Sequence, residues 1–303
     1  MHELSDGRIL ATLAGVRLEW WLPSGRREWA VPDEDGGREI AVTRDETTAW
    51  VSLMRPARHT RRTQSVVRLS LADGAQLDEI TPAGYVSLST VADGHPVLTP
   101  AGHWINGVPV AIGDPLRVRH ARLTRFLSFV KDADTRRSQP GVAWVSTAEP
   151  QPGEASDRPA EPEETSVRRL FPYSWVPGAP HICGPGVETA DGSLIHAGSV
   201  LRRRDRPGYS YVVRRDASDG TPHWLFRPDS SATALDADAT TAFIACEDGE
   251  IVALGVDDGA VLWRHRLALG NLPLIPTALT VTRSGRLLIG THDGRILLCS
   301  TTT

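Results

Sequence analysis

The chain alternates between short apolar runs and short polar turns over most of its length. Residues 241–254 show two such runs on either side of the pair Asp248-Gly249, and residues 286–298 repeat the arrangement. Asp-Gly between alternating hydrophobic residues predicts a β-hairpin, because glycine supplies the positive φ that a type I′ turn needs. No apolar stripe at helical spacing competes over a long stretch, so the pattern predicts an all-β protein.

A second signal recurs at a regular distance along the chain. Gly-x-x-x-Trp occurs three times, and the copies that end in Trp224 and Trp263 lie 39 residues apart. A unit of about 40 residues with four strands is typical of a β-propeller blade. Residues 232–267 contain one complete unit, with strands predicted near 232–238, 241–246, 250–256 and 260–266.

This unit repeats along the whole chain and predicts a single β-propeller domain over residues 1–303, with about seven four-stranded blades. Residues 276–300 supply only three strands of the last blade. We expect the segment before Gly7 to supply the fourth by pairing with residues 295–300, because closure by both chain ends removes exposed edges. The remaining units are predicted at residues 8–31, 38–81, 85–113, 115–172 and 181–227.

The three repeated tryptophans are Trp29, Trp224 and Trp263, and each stands on the predicted outer strand of its blade. Regular recurrence is what the stacking of repeats requires. We therefore expect the rings to pack against the neighbouring blade, with their N–H groups bonded to backbone carbonyls. The alternative is a row of exposed aromatic side chains that contact a ligand.

Three predicted connections between the second and third strands of a blade are rich in arginine. Such connections emerge on one face of a propeller, so these residues predict a basic sector that can dock an acidic protein surface, a nucleotide or a nucleic-acid backbone. The alternative is a set of solvated hairpin tips, partly neutralised by nearby aspartates. The arginines are Arg58, Arg61, Arg62, Arg136, Arg137, Arg203, Arg204 and Arg206.

Residues 149–166 form an acidic, proline-rich segment without any other apolar side chain larger than alanine. Such a segment cannot bury enough apolar surface to order itself. We expect a disordered insertion between the third and fourth strands of the fourth blade. The alternative is an acidic tether for a basic partner.

Composition and charge narrow the classes of function. The 303 residues are 40% hydrophobic and 23% charged, which excludes collagen, coiled coil and wholesale disorder. A net charge of −4 argues against a dedicated nucleic-acid binder. Three scattered cysteines, no visible secretory signal and no apolar run of about 18 residues favour a cytoplasmic location away from membranes. The histidines show no metal-ligand spacing, and no nucleophile or phosphate-binding motif occurs.

Residues 241–267, TAFIACEDGEIVALGVDDGAVLWRHRL, resemble the repeat of PQQ-like (quinoprotein alcohol dehydrogenase-like) β-propellers and overlap the WD40 pattern. The shared features are a strand that ends in a small residue, Asp-Gly, an aliphatic strand and Asp-Gly-x-x-x-Trp. The family's enzymes bind pyrroloquinoline quinone with calcium, and many carry an adjacent cysteine pair. This chain has no such pair and is short for an eight-bladed enzyme, so we expect no cofactor, no metal and no enzymatic activity.

The resemblance also extends to scaffold proteins. The outer-membrane assembly propeller is a secreted lipoprotein, and the lack of a visible signal argues against that group. Short cytoplasmic propellers occur in bacterial multi-gene systems beside MoxR-type ATPases and von Willebrand A domains. The resemblance therefore implies a non-catalytic scaffold for protein–protein interaction in a larger bacterial assembly, with such components as partners. The alternative is a hydrolytic or quinoprotein-like propeller enzyme with a metal or small molecule in its central channel.

Overall fold

A computed structural model shows β-strands and turns throughout the residues that it describes, which confirms the prediction of an all-β chain. The chain divides into two compact units, residues 1–109 with 149–166 and residues 110–148 with 167–303. The described residues are 1–13, 16–33, 36–55, 63–81, 86–90, 96–100, 104–105, 108–109, 116–120, 123–130, 142–150, 165–174, 181–189, 191–200 and 208–301.

The first unit contains two four-stranded antiparallel sheets in which each strand pairs with the next along the chain. The first sheet has strands β1 (His2–Glu3), β2 (Ile9–Leu13), β3 (Val16–Trp21) and β4 (Arg27–Pro32). The second has β5 (Gly37–Val42), β6 (Thr48–Arg55), β7 (Thr63–Ser70) and β8 (Gln76–Ile80). Two hairpins follow, β9 (Val86–Thr90) with β10 (Pro96–Pro100), and β11 (Trp104–Ile105) with β12 (Val108–Pro109).

An eight-stranded sheet opens the second unit and consists of two four-stranded meanders joined at their first strands. The first has β13 (Leu116–His120), β14 (Leu123–Val130), β15 (Val142–Pro150) and β16 (Thr165–Ser174). The second has β17 (His181–Glu188), β18 (Leu194–Val200), β19 (Tyr209–Arg215) and β20 (Pro222–Phe226). β13 and β17 pair in parallel at Val118 and Gly186. Corresponding strand ends of the two meanders therefore lie at the same end of the sheet.

Two further sheets and a short hairpin complete the second unit. One sheet has β21 (Ala232–Ala237), β22 (Thr241–Cys246), β23 (Glu250–Gly255) and β24 (Val261–Arg266). The hairpin has β25 (Ala268–Leu269) and β26 (Leu272–Pro273), and the last sheet has β27 (Pro276–Val281), β28 (Leu287–Thr291) and β29 (Ile296–Cys299).

Six of the seven predicted blades correspond to a four-stranded meander or to the three-stranded last sheet, whereas residues 85–113 contain two separate hairpins among the described residues. Antiparallel four-stranded meanders are the building unit of a β-propeller. The four strands predicted in residues 232–267 are β21 to β24, with bounds that differ by at most one residue. β1 pairs with β2, and β29 pairs with β28. Closure by the chain ends therefore stays a prediction. That the chain forms a single domain also stays a prediction. Residues 151–164 of the predicted insertion lie outside the described residues.

The Asp-Gly hairpins differ from the predicted type I′ turn. The N–H of Gly249 donates to the carbonyl of Cys246 at 3.0 Å, and Gly294 donates to Thr291 at 3.0 Å. Only the glycine of each pair has a positive φ, 91° at Gly249 and 85° at Gly294. A type I′ turn needs two such residues, so these are three-residue loops that end in a left-handed glycine. The aspartate of each pair keeps a negative φ. Its carboxylate accepts hydrogen bonds inside the turn, as Asp293 does from the Thr291 hydroxyl.

The apolar core of the second unit lies between neighbouring sheets. Val187, Ile195 and Val212 of one sheet belong to the same buried cluster as Leu235 and Ile244 of the next. Every one of these side chains is at most 4% exposed. Each sheet thus buries its apolar residues against its neighbour, as expected of stacked repeats.

An aromatic side chain on the outer strand of one sheet lies over a turn glycine of the next. Trp224 on β20 is 9% exposed, and a Cβ placed on Gly259 would lie 2.7 Å from its ring. The Trp224 Nε1–H donates to the carbonyl of Val256 at 2.7 Å. Phe171 on β16 lies in the same way over Gly220 in the other meander of the eight-stranded sheet, where a Cβ would again lie 2.7 Å from the ring.

The other two repeated tryptophans make related contacts. In the first unit, a Cβ on Gly74 would lie 3.2 Å from the Trp29 ring. In the second unit, the Trp263 Nε1–H donates to the carbonyl of Thr301 at 3.2 Å, just beyond β29. In both cases the ring contacts the segment that follows the third strand of the next sheet. That these contacts stabilise the fold stays a prediction.

We predict that Gly259→Ala destabilises the protein more than Gly192→Ala. Both glycines have a left-handed backbone conformation, with φ of +68° at Gly259 and +83° at Gly192. Each substitution therefore lowers the free energy of unfolding by about 1–2 kcal/mol through backbone strain. Nothing lies within 4 Å of a Cβ on Gly192, whereas Gly259 abuts the Trp224 ring. Overpacking should add about 1–3 kcal/mol to the loss for Gly259→Ala in urea unfolding. Equal losses for the two variants would show that the ring contact is unimportant.

Candidate protein-interaction face

One end of the last three sheets carries a chain of hydrogen bonds that joins each sheet to the next. The hydroxyl groups of Ser210 and Ser231 lie 3.1 Å apart. The Ser231 carbonyl accepts the N–H of Glu247 at 2.9 Å, and the Ser230 hydroxyl donates to Asp248 Oδ1 at 2.8 Å. The start of β19 is thereby connected to the turn between β22 and β23.

The same chain of bonds continues to the last sheet. The Gly249 carbonyl accepts the N–H of Leu267 at 2.9 Å, and the Leu267 carbonyl accepts that of Leu274 at 3.0 Å. The N–H of His292 donates to the carbonyl of Ile275 at 2.8 Å. We call this bonded edge the rim, and it comprises residues 227–231, 246–250, 267–275 and 291–295.

Ion pairs reinforce the rim. Arg264 on β24 donates to both carboxylate oxygens of Glu250, at 2.9 and 2.5 Å, and to Asp229 at 2.5 Å. These hydrogen bonds raise the pKa of the Arg264 guanidinium, so the residue stays charged. Arg266 bonds Asp248 at 2.9 Å. Burial opposes ionisation of Asp248, but its hydrogen bonds and Arg266 outweigh burial and lower the pKa of that carboxyl.

The β25–β26 hairpin stands on this rim and exposes aliphatic side chains. Leu269 is 53% exposed, Leu272 49% and Ile275 45%. Leu267 and Leu274 at its base are buried. Sequence analysis missed this hairpin, although Gly270-Asn271 between two leucines is a two-residue turn signal that could have found it.

The strand ends that bound two of the arginine-rich connections lie at the rim end of their sheet. Val130 and Val142 flank one connection, and Val200 and Tyr209 flank the other. Parallel pairing of β13 with β17 places all four at the same end of the sheet, and Ser210, next to Tyr209, contacts the rim. The basic sector itself stays a prediction, because its members lie outside the described residues: Arg58, Arg61, Arg62, Arg136, Arg137, Arg203, Arg204 and Arg206.

At the opposite end of the sheet, Arg214 on β19 joins two turns. It donates to Asp191 Oδ2 at 2.5 Å, to the Val256 carbonyl at 2.9 Å and to Asp257 Oδ1 at 3.3 Å. Burial opposes ionisation of Asp191, but hydrogen bonds from Thr189 and Ser193 and the charge of Arg214 hold the pKa of that carboxyl below its usual range. Sequence reasoning missed Arg214, because an arginine in a strand usually faces solvent.

His196 on β18 is fully buried in the same sheet. Its Nδ1 lies 2.9 Å from the Ala197 carbonyl, and the Arg215 Nε–H donates to its Nε2 at 3.3 Å. This arrangement requires a neutral ring with the proton on Nδ1. Burial lowers the pKa of His196 to about 3, and the nearby charge of Arg215 acts in the same direction. His196 therefore has a structural position and not that of a proton donor or acceptor at neutral pH.

Within the part of the chain that the structure describes, no group of three or more His, Cys, Asp or Glu side chains is arranged to hold a metal ion. The described residues also include no helix of the length and apolar character needed to cross a membrane.

The family profile described as outer membrane protein assembly factor BamB matches residues 146–303, which is just over half of the chain. The chain therefore belongs to this family of PQQ-like propellers, which confirms the resemblance found in the sequence. A search of the curated proteins found no match.

Solved structures with the same fold include proteins of different kinds. BamB from Moraxella catarrhalis is 14% identical with a TM-score of 0.54, and the match covers 98% of this chain and 95% of that one. The WD40 propeller domain of Doa1 is 11% identical with a TM-score of 0.57, covering 98% and 90%. A glucose dehydrogenase is 13% identical with a TM-score of 0.53, covering 100% and 95%. These likenesses show the β-propeller fold and leave open whether the chain is an enzyme.

We predict that burial of neutral His196 makes stability fall as the pH drops below 6.5. The unfolded chain binds a proton near that pH, whereas the folded chain does not until about pH 3. Between pH 7.5 and 5 this histidine should remove about 2 kcal/mol from the free energy of unfolding. His196→Gln should abolish that loss in urea titrations, while His223→Gln, at an exposed site on β20, should keep it. An unchanged pH dependence in His196→Gln would contradict this assignment.

Proposed function

We propose that this protein is a non-catalytic β-propeller scaffold whose rim face holds a protein partner within a larger bacterial assembly. The observation that carries the proposal is the rim itself. Four separate chain segments are held together there by backbone hydrogen bonds, with ion pairs at Arg264 and Arg266 beside them. A face whose parts are already fixed loses little conformational entropy when it binds a partner.

Family membership supports a role in assembly, because the matching family is described as an outer membrane protein assembly factor. The predicted basic sector supports contact at the same end of the sheets, since the strand ends that bound 131–141 and 201–207 lie there. Arginine-rich connections beside a fixed rim suit a partner with an acidic surface.

The finer parts of the proposal concern partner and place. We propose a cytoplasmic location and a partner of the MoxR-type ATPase or von Willebrand A class. The net charge of −4 disfavours nucleic acid as the main ligand. The competing proposal of a channel enzyme would need a ring of inward-facing ligand or catalytic groups.

The test is charge reversal on the proposed contact face. The full chain is tagged in the cells that encode it, and partners are recovered after chemical cross-linking and quantified by mass spectrometry. Arg203→Glu with Arg204→Glu should lower recovery of the main partner about tenfold or more, because like charges repel across an interface. Arg61→Glu with Arg62→Glu should act in the same direction.

Arg44→Glu is the matched control. Arg44 is exposed in the turn between β5 and β6, which is a first-to-second strand connection and so belongs to the other face of a propeller blade. The control should leave partner recovery unchanged. Equal recovery in the reversed and control variants would overturn the basic part of the proposal.

A further inference from the structure

We propose that the β25–β26 hairpin is an apolar anchor that inserts into a recess lined with apolar side chains on the partner protein. This inference rests on the proposed function and adds the chemistry of the partner's surface. Its starting observation is the exposure of about half of Leu269 and Leu272 on the hairpin and of Ile275 just beyond its base. Exposed aliphatic side chains grouped in this way mark interaction sites on folded proteins.

The two leucines are arranged to act together. Leu269 on β25 lies directly opposite Leu272 on β26. Side chains at directly paired positions of an antiparallel hairpin project from the same side. Gly270 has a φ of +60°, and nothing lies within 4 Å of a Cβ placed on it. The hairpin therefore ends in a small apolar knob with open space around its turn.

The base of the hairpin is already ordered. Leu267 and Leu274 are 8% and 2% exposed, and the N–H of Leu274 donates to the Leu267 carbonyl. The backbone on either side is bonded to Gly249 and His292. The knob is therefore held at a fixed position before binding, which lowers the entropic cost of inserting it into a recess.

The charges around the hairpin argue against a lipid surface as the occupant. Arg266 is paired with Asp248, and Arg295 with Asp293 at 2.7 Å, so neither is an unpaired cation. Glu247 adds an exposed carboxylate in the same rim. Anionic membranes attract surfaces with an excess of basic residues, whereas the described rim carries five carboxylates and two arginines.

The knob is too small for two copies of this chain to associate through their hairpins alone. Three half-exposed aliphatic side chains present at most a few hundred Å² of apolar surface. A stable dimer buries about 800 Å² on each partner. The knob is therefore suited to be the central anchor of a wider contact that includes the rim, where a few apolar side chains carry most of the affinity.

The experiment begins with photo-cross-linking from the hairpin in the full chain. A benzophenone amino acid replaces Leu272 in one variant and Leu225 in another, because Leu225 is equally exposed, at 52%, on the outer strand β20. Irradiation in the cells that encode the protein should give one discrete protein adduct from position 272 and not from 225. Mass spectrometry should place the cross-linked residue of the partner among apolar side chains.

Binding is then measured with the purified partner. Leu269→Asp with Leu272→Asp should weaken binding about 30-fold or more, the cost of removing an anchor. Leu225→Asp should bind like the unmodified protein. Leu272→Met keeps an apolar knob and should retain binding. Unchanged thermal unfolding of the aspartate variant verifies that the fold is intact.

The remaining outcomes separate this inference from the proposed function. Full binding by the aspartate variant, with loss in Arg203→Glu/Arg204→Glu, would reject the anchor and keep the scaffold. Full binding by both variants would reject both proposals. An adduct with a second copy of the chain, or flotation with phosphatidylglycerol vesicles that depends on Leu269 and Leu272, would also reject the anchor.

Discussion

An aromatic ring on an outer strand meets a turn glycine of the following sheet, and we predict that the rest of the structure depends on this contact. At Trp224 the ring covers Gly259, and its N–H reaches the Val256 carbonyl. The Val256 carbonyl also accepts Arg214, so two donors from one sheet meet on one turn of the next. Because each repeat contacts only its neighbours, such contacts set the spacing from sheet to sheet.

The regular contacts at one end leave the other end free to differ between blades. The turns that follow the third strands hold a glycine against an aromatic ring, as at Gly220 and Gly259. At the rim end, the connections are held by backbone hydrogen bonds that demand no particular side chain. That end therefore accommodates both a short turn at residues 246–250 and the exposed β25–β26 hairpin. A fixed frame that carries variable connections is the physical basis of the scaffold proposal.

The repeat could be predicted from the sequence because strand, turn and ring recur with a fixed period. The strands of residues 232–267 follow from alternation and from glycine positions alone. The turn type does not follow, because Asp-Gly fits both a two-residue loop and the three-residue loop found at Gly249 and Gly294. Which one forms depends on how the flanking strands twist and on whether the aspartate caps the loop.

The candidate site was less accessible to sequence reasoning. Leucines of the β25–β26 hairpin look like core residues in a sequence, and only the structure shows that they are exposed. Conversely, no sequence pattern indicates that Arg214 and His196 are buried, and the structure buries both. Burial of such groups is decided by partners distant in sequence, such as Val256 for Arg214.

Hydrogen–deuterium exchange of the full chain, alone and in the complex purified from cells, tests most directly whether the rim is the contact face. Amides of residues 246–250, 267–275 and 291–295 should exchange more slowly in the complex. Amides of the opposite turns, residues 216–221 and 255–260, should exchange at the same rate in both states. Protection confined to the opposite turns would contradict the account.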